Sequence, residues 1–350
     1  MAVPKVAEIV KEALAFTKFT DLAAERLGGK VLFATDDFFA EKENLLKPTR
    51  GIFIPGKYTD RGKWMDGWES RRKRSPGHDW AVIQLASTGS IAGFDIDTNF
   101  FLGNHPPHAS IEGAYIKGMQ SDGGLPCSAA GWDALAWKEI LPVSHLDAGS
   151  QNFYTCSSKE LFTHIRLHIY PDGGVARIRV FGEVYKDWNS FSVNEETDLA
   201  SALNGGKAIA CNDMFFSEMG NLIMPGRGIN MGDGWETKRN RSPGNRDWVI
   251  LKLGTSGTIS RVIVDTCHFK GNYPDSCSIE GCNAGNDEAV ITDKVNWEVI
   301  LPAQKLSADA LNEYKKEITS TAVFTYVRLN IFPDGGISRL RLFGKKSNGS

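Results

Sequence analysis

A chain of 350 residues, 41% hydrophobic and 23% charged, is long enough for two globular domains, each able to bury a core without disulfide or metal staples. Its formal net charge of −2 excludes a global field that would gather nucleic acid or an anionic membrane as partner. No apolar run approaches the roughly twenty residues of a membrane-spanning helix, and a cytoplasmic protein is expected.

At the N-terminus, Val6, Ile9, Val10, Ala13 and Leu14 follow helical spacing. Lys5, Glu8, Lys11 and Glu12 interrupt them, so residues 1–19 read as an amphipathic helical extension rather than a signal peptide. From residue 20 the chain repeats itself. Residues 21–27, with acidic Asp21 at the start and Gly28-Gly29 at the end, predict a short helix, and residues 198–203 before Gly205-Gly206 predict its twin. Asp66-Gly67-Trp68-Glu69 recurs as Asp233-Gly234-Trp235-Glu236, and Arg74-Ser75-Pro76-Gly77 as Arg241-Ser242-Pro243-Gly244. Gly103-Asn104 recurs as Gly271-Asn272, Ser110-Ile111-Glu112-Gly113 as Ser278-Ile279-Glu280-Gly281, and Pro171-Asp172-Gly173-Gly174 as Pro333-Asp334-Gly335-Gly336. The offset moves only in steps, from 177 to 167, 168, 160 and 162, as insertions in loops would make it. Copy one is therefore assigned to residues 20–185, a linker to 186–193 and copy two to 194–346.

Within the copies the pattern is strand. Ile165, Leu167 and Ile169 alternate with His164, Arg166 and His168, and Val327, Leu329 and Ile331 alternate with Tyr326, Arg328 and Asn330. Pro-Asp-Gly-Gly supplies a turn to the next alternating run, which predicts a hairpin. Trp137 and Trp297, each before Ile-Leu-Pro, read as core anchors. Many short strands with Gly/Pro turns give an all-β fold of two tandem antiparallel β-sandwiches. The six cysteines match in no position between the copies and contain no CxxC, so free thiols are expected.

Residues kept in both copies are either architecture or chemistry. Asp-Gly-Trp-Glu, followed by Arg72 and Arg239, puts acid, indole and guanidinium in one loop. Its two readings are a binding loop (Trp68, Glu69, Arg72; Trp235, Glu236, Arg239) and a structural Arg–carboxylate pair with a packed tryptophan. Asp97 and Asp265 end apolar strands, with Asn104, Asn272, Glu112 and Glu280 beyond them. These acids suit general acid–base work, a divalent metal, urea-like N–H groups, or mere turn capping and surface ion pairs. Histidines are uneven: His105 and His108 stand where copy two has Tyr273 and Ser276, and His268 stands where copy one has Phe100. No Walker A, GxGxxG, GxSxG or HExxH context is present.

Phe33-Ala34-Thr35-Asp36-Asp37-Phe38-Phe39, Trp64-Met65-Asp66-Gly67-Trp68-Glu69, Gly77-His78-Asp79-Trp80 and Gly103-Asn104-His105 resemble the first repeat of the allantoicase family. The run from Pro225-Gly226-Arg227 through Met231-Gly232-Asp233-Gly234-Trp235-Glu236 to Arg239 resembles the second. The resemblance implies two galactose-binding-like jelly rolls, assembly into a homo-oligomer, and cleavage of allantoate to ureidoglycolate and urea in purine breakdown. It carries no catalytic assignment. The chemistry of allantoate nominates Arg72 or Arg239 for its carboxylate, and Asp97, Asp265, Glu112 and Glu280 for its ureido N–H groups. Glu112, Glu280, His105 or His268 is nominated for proton transfer, with a divalent ion as an optional polariser of the substrate. The alternatives are a non-catalytic tandem carbohydrate-binding protein and a hydrolase of a related ureide.

Overall fold

The computed structural model describes residues 14–117 and 125–347. The N-terminal helix expected over residues 1–19 lies mostly outside the described residues; within them, Ala15–Lys18 forms one 3₁₀ turn. The chain divides into two compact units, Met1–Tyr185 and Lys186–Ser350. No helix among the described residues is long and apolar enough to cross a membrane. All six cysteines are free.

Unit one contains β1 (Thr20–Asp21), β2 (Lys30–Ala34), β3 (Tyr58–Thr59), β4 (Gly62–Lys63), β5 (Trp68–Glu69) and the long β6 (Asp79–Asp97). It continues with β7 (His108–Ala114), β8 (Lys138–His145), β9 (Gln151–Thr155), β10 (Leu161–Tyr170), β11 (Gly174–Val175) and β12 (Arg177–Val184). All main pairings are antiparallel, in the order β1-β12-β6-β10-β7-β8. The first half of β6 lies between β2 and β10, and its second half between β9 and β12, so one strand belongs to both layers of the sandwich. Ile83, Leu85, Phe94 and Ile96 of β6 meet Ile165, Leu167, Ile178 and Val180 in the core between the layers. The alternation seen in the sequence thus sends apolar residues inward and leaves His164, Arg166 and His168 on the outer face of β10.

Unit two repeats this frame with β13 (Thr197–Asp198), β14 (Lys207–Cys211), β15 (Trp235–Glu236), β16 (Asp247–Asp265) and β17 (Ser276–Cys282). It ends with β18 (Glu298–Lys305), β19 (Leu311–Tyr314), β20 (Phe324–Phe332), β21 (Gly336–Ile337) and β22 (Arg339–Lys346). The offset step from 177 to 167 maps onto the β3–β4 hairpin, ten residues that unit one has and unit two lacks.

Three local expectations are corrected. Residues 21–27 and 198–203 hold only the 3₁₀ turns Glu25–Leu27 and Ala202–Asn204, because Asp21 and Asp198 are held in edge strands. β10 and β12 do not form a hairpin: each pairs with a different stretch of β6, so the Pro-Asp-Gly-Gly turn crosses between layers. Trp137 and Trp297 are half-buried outside the sandwich core and lie against Arg166 and Arg328, at 4.9 and 4.3 Å from ring centroid to guanidinium.

Candidate active site

The crossing turn gathers the loops at one end of unit one. Pro171 O accepts from Asp79 N (3.1 Å), Gly173 O from Ser70 N (3.1 Å), and Asn104 O from Gly174 N (2.8 Å). Asp172 Oδ2 accepts from Lys73 N at 2.8 Å. Gly173 has φ +133°, which a Cβ disfavours, and a Cβ on Gly174 would lie 2.0 Å from the Phe101 ring. Two glycines are therefore required for different reasons, and the repeat in unit two has the same pair, Gly335 at φ +136° and Gly336 against Phe269.

Asp-Gly-Trp-Glu is divided between architecture and site. Asp66 pairs with Arg177 at 2.7 Å, both buried, and Trp68 is fully buried with its Nε1 donating to Asp36 O at 2.8 Å. Asp233–Arg339 and Trp235–Asp213 O repeat both contacts in unit two. The structural arginine is Arg177, from β12, and Arg72 is left exposed. Glu69 is half-buried and accepts from Asn104 Nδ2 at 2.7 Å; Glu236 accepts from Asn272 Nδ2 at 2.6 Å. Burial pushes the Glu69 carboxyl upward, against the pull of the Asn104 hydrogen bond.

Beside this pair lies a cleft of about 500 Å³ lined by Asp36, Phe39, Arg71, Arg72, Lys73, Arg74 and Asp79. Arg71 Nε reaches Asp36 at 2.6 Å, and Lys73 Nζ reaches Asp79 at 2.6 Å. Arg72 and Arg74 are exposed and hold no ion pair among the described residues. Two cations are thus neutralised and two remain for an anionic ligand. In unit two, Arg239 is likewise exposed and holds no ion pair among the described residues, but Asn240 replaces Lys73 and bonds Asn245 Oδ1 at 2.8 Å.

The remaining sequence candidates are not among the residues lining this cleft. Asp97 is buried and held by Arg50 Nε (2.7 Å) and Nη2 (2.8 Å), with Asn99 N (3.0 Å) on Oδ1. Asp265 repeats this with Arg227 at 2.9 Å. Both carboxylates are fully engaged in orienting a half-exposed arginine. His105 is half-buried against the crossing turn, its Nδ1 buried without a partner among the described residues. His268 takes φ +72°, as Phe100 does at +67°, and its Nε2 lies 2.8 Å from Gly228 O. His108 is exposed beside His145.

Glu112 sits on the outer sheet face in a network that the sequence reading missed. Its Oε2 is 2.7 Å from Arg166 Nε and 2.8 Å from His168 Nε2. Arg166 also reaches Asp133 at 2.5 Å and lies between the rings of Trp80 and Trp137. His168 Nδ1 is 2.8 Å from His78 Nε2, and the His78 ring packs on Tyr170 at 4.4 Å. Burial opposes ionisation of Glu112, but the His168 and Arg166 hydrogen bonds outweigh it and hold the carboxyl below its ordinary range. Burial lowers both His168 and His78, only partly offset by Glu112 and Asp79 respectively. In unit two, Glu280 keeps Arg328 (2.9 Å), but Asn330 replaces His168 and donates to Glu280 at 3.0 Å. The signal was in the sequence: His164 and His168 of copy one correspond to Tyr326 and Asn330 of copy two. Among the described residues no group of three His, Cys, Asp or Glu is placed to hold a metal ion.

A family model described as "Allantoicase repeat" matches residues 20–185 and again 197–347. The probable allantoicase of Pseudomonas fluorescens strain Pf-5 is 51% identical over 335 residues, covering 95% of this chain and 98% of the relative. That of Photobacterium profundum is 49% identical over 340 residues, covering 97% and 100%. A crystal structure of allantoicase from Saccharomyces cerevisiae superimposes with a TM-score of 0.79 at 35% identity, covering 97% of this chain and 98% of that one.

Proposed function

The chain belongs to the allantoicase family, and on that premise we propose that it hydrolyses allantoate to ureidoglycolate and urea, with the substrate carboxylate held in the basic cleft of unit one. The observation that carries the location is charge left over: Arg71 and Lys73 are paired, whereas Arg72 and Arg74 line the cleft with no ion pair among the described residues. A guanidinium fork fits a carboxylate with two parallel hydrogen bonds. Glu69, with its carboxyl pushed up and fixed by Asn104, supplies an acceptor for ureido N–H groups. Asp97, Asp265, Trp68 and Trp235 act as positioning and packing residues, since their polar atoms are already engaged. Arg239, Glu236, Asn272, Glu280 and His268 form the corresponding frame of unit two. A cytoplasmic homo-oligomer belongs to the same proposal; exposed Ile52, Tyr58 and Leu102 in unit one and Ile229 in unit two offer apolar surface for subunit contact. The non-catalytic carbohydrate-binding reading is not favoured, because the relatives matching both copies are allantoicases.

The test is urea release from allantoate by the purified full chain. Arg72→Ala removes a charge-assisted pair of about 1.5–3 kcal/mol and lowers kcat/KM by about 10–100-fold, mostly through KM, while Arg239→Ala changes it less than about threefold. Equal effects from both variants would remove the carboxylate from unit one. A folded wild-type protein that releases no urea, or releases ammonia first, would overturn the reading.

A further inference from the structure

We propose that His78 is the proton-transferring residue of unit one and that His168 and Glu112 fix the tautomer which makes it a base. The inference rests on the allantoate reading above and deepens it. Three side chains set the chain of donors. Glu112, ionised beside Arg166, can only accept, so the hydrogen bond at 2.8 Å requires a proton on His168 Nε2. A neutral imidazole has one N–H, so His168 Nδ1 carries a lone pair and accepts from His78 Nε2–H, also at 2.8 Å. The remaining nitrogen, His78 Nδ1, is then the lone-pair atom. It has no hydrogen-bond partner within the described residues, and His78 itself is only half-buried. His78 directly precedes Asp79, whose carboxylate lines the basic cleft and pairs with Lys73. A carboxylate that orients one imidazole is a familiar way to prepare a general base; here the orientation is passed through a second ring.

The groups facing His78 are His168, Tyr170, Asp79, Lys73, Arg166 and Glu112. Burial, with the cations of Lys73 and Arg166, outweighs Asp79 and Glu112 and keeps the ring below its ordinary value, hence in its neutral, proton-accepting form at pH 7. Unit two cannot build the same relay. Asn330 occupies the place of His168, and its Oδ1 is buried without a partner among the described residues. Asn245 and Arg246 stand where unit one has His78.

The proton moves account for the whole reaction. His78 Nδ1 takes the N–H proton of the ureido group that stays. The electron pair of that nitrogen forms a C=N bond as the bond from carbon to the other ureido nitrogen breaks. The departing nitrogen keeps the bond pair and takes the proton back from His78, leaving as urea. Water then adds across C=N, hydroxyl to carbon and hydrogen to nitrogen, giving ureidoglycolate. One imidazole therefore serves both transfers and ends as it began.

The test uses full-length protein and allantoate. His78→Gln lowers kcat by about 10²–10⁴-fold with KM changed only a few-fold, the range for loss of a general base. His168→Asn, which installs unit two's own residue and keeps a donor toward Glu112, lowers kcat more than tenfold and shifts the acid limb of the kcat–pH profile. Long-range ¹⁵N–¹H spectra of the imidazoles in the wild type show His78 protonated at Nε2 and bare at Nδ1 at neutral pH, a readout independent of whether any variant folds. Wild-type turnover with His78→Gln retaining kcat within about threefold, or a proton found on His78 Nδ1, overturns the inference while the allantoate reading stands. Absence of wild-type turnover instead overturns that reading.

Discussion

Asp95 offers a quantitative test of how unit one carries its charges. It is buried on β6, with Gln151 Nε2 donating to Oδ2 at 2.6 Å and Oδ1 left without a partner among the described residues. Burial raises its pKa, Gln151 opposes this, Asp97 adds to it and Arg179 and Arg50 oppose it; the result is about 6 against an ordinary 3.8. A folded-state carboxyl raised in this way binds more protons folded than unfolded, so its penalty is absent at low pH and grows as pH rises from the unfolded value through the folded one. At about 1.36 kcal/mol per unit, the penalty is about 0.5 kcal/mol at pH 4 and up to about 3 kcal/mol at pH 8. Asp95→Asn keeps an acceptor for Gln151 and removes the ionisation. Calorimetry should show the unit-one transition of the variant close to wild type at pH 4 and higher by several degrees at pH 8, at about 2–4 °C per kcal/mol. Unit two is the internal reference, since Ile263 holds the register position opposite Arg341 that Asp95 holds opposite Arg179. A gap between variant and wild type that is the same at pH 4 and pH 8 would refute the reasoning.

Two further outcomes are expected. Gly174→Ala sets a methyl 2.0 Å from the Phe101 ring and shifts the crossing turn, costing about 1–3 kcal/mol by overpacking and lowering the melting temperature of unit one; a neutral result would mean that Phe101 can move aside freely. Light scattering on the full chain should give a mass that is a multiple of the chain mass, and a strict monomer at micromolar concentration would refute the oligomer.

The repeat and its strands were legible because both are local patterns: Ile165, Leu167 and Ile169 declare a face without reference to any partner. Partners were not legible. β10 and β12 read as a hairpin because the turn between them is tight, yet each is satisfied by its own stretch of β6. Arg72 was read beside Asp-Gly-Trp-Glu because it is near in sequence, whereas the arginine that neutralises Asp66 comes from 111 residues away. Arg50 for Asp97 and Arg166 for Glu112 are separated by 47 and 54 residues, and no spacing rule connects them. Trp137 and Trp297 recur for their contact with an arginine as much as for burial, which composition alone does not distinguish. The difference at His78 and His168 was legible in the sequence, since copy two has Asn245-Arg246 and Asn330 in their places.

The long strand has a consequence for how each unit opens. β6 and β16 each run 19 residues and give one half of their hydrogen bonds to one layer and the other half to the second. Neither layer can peel away while its half of that strand stays put, so partial opening is confined to loops, short edge strands and the β3–β4 hairpin. Amide protons near Ile83 and near Phe94 therefore share one exchange clock, that of the whole unit coming apart. The loops around the cleft can loosen, exchange solvent or be nicked by a protease without setting that clock running.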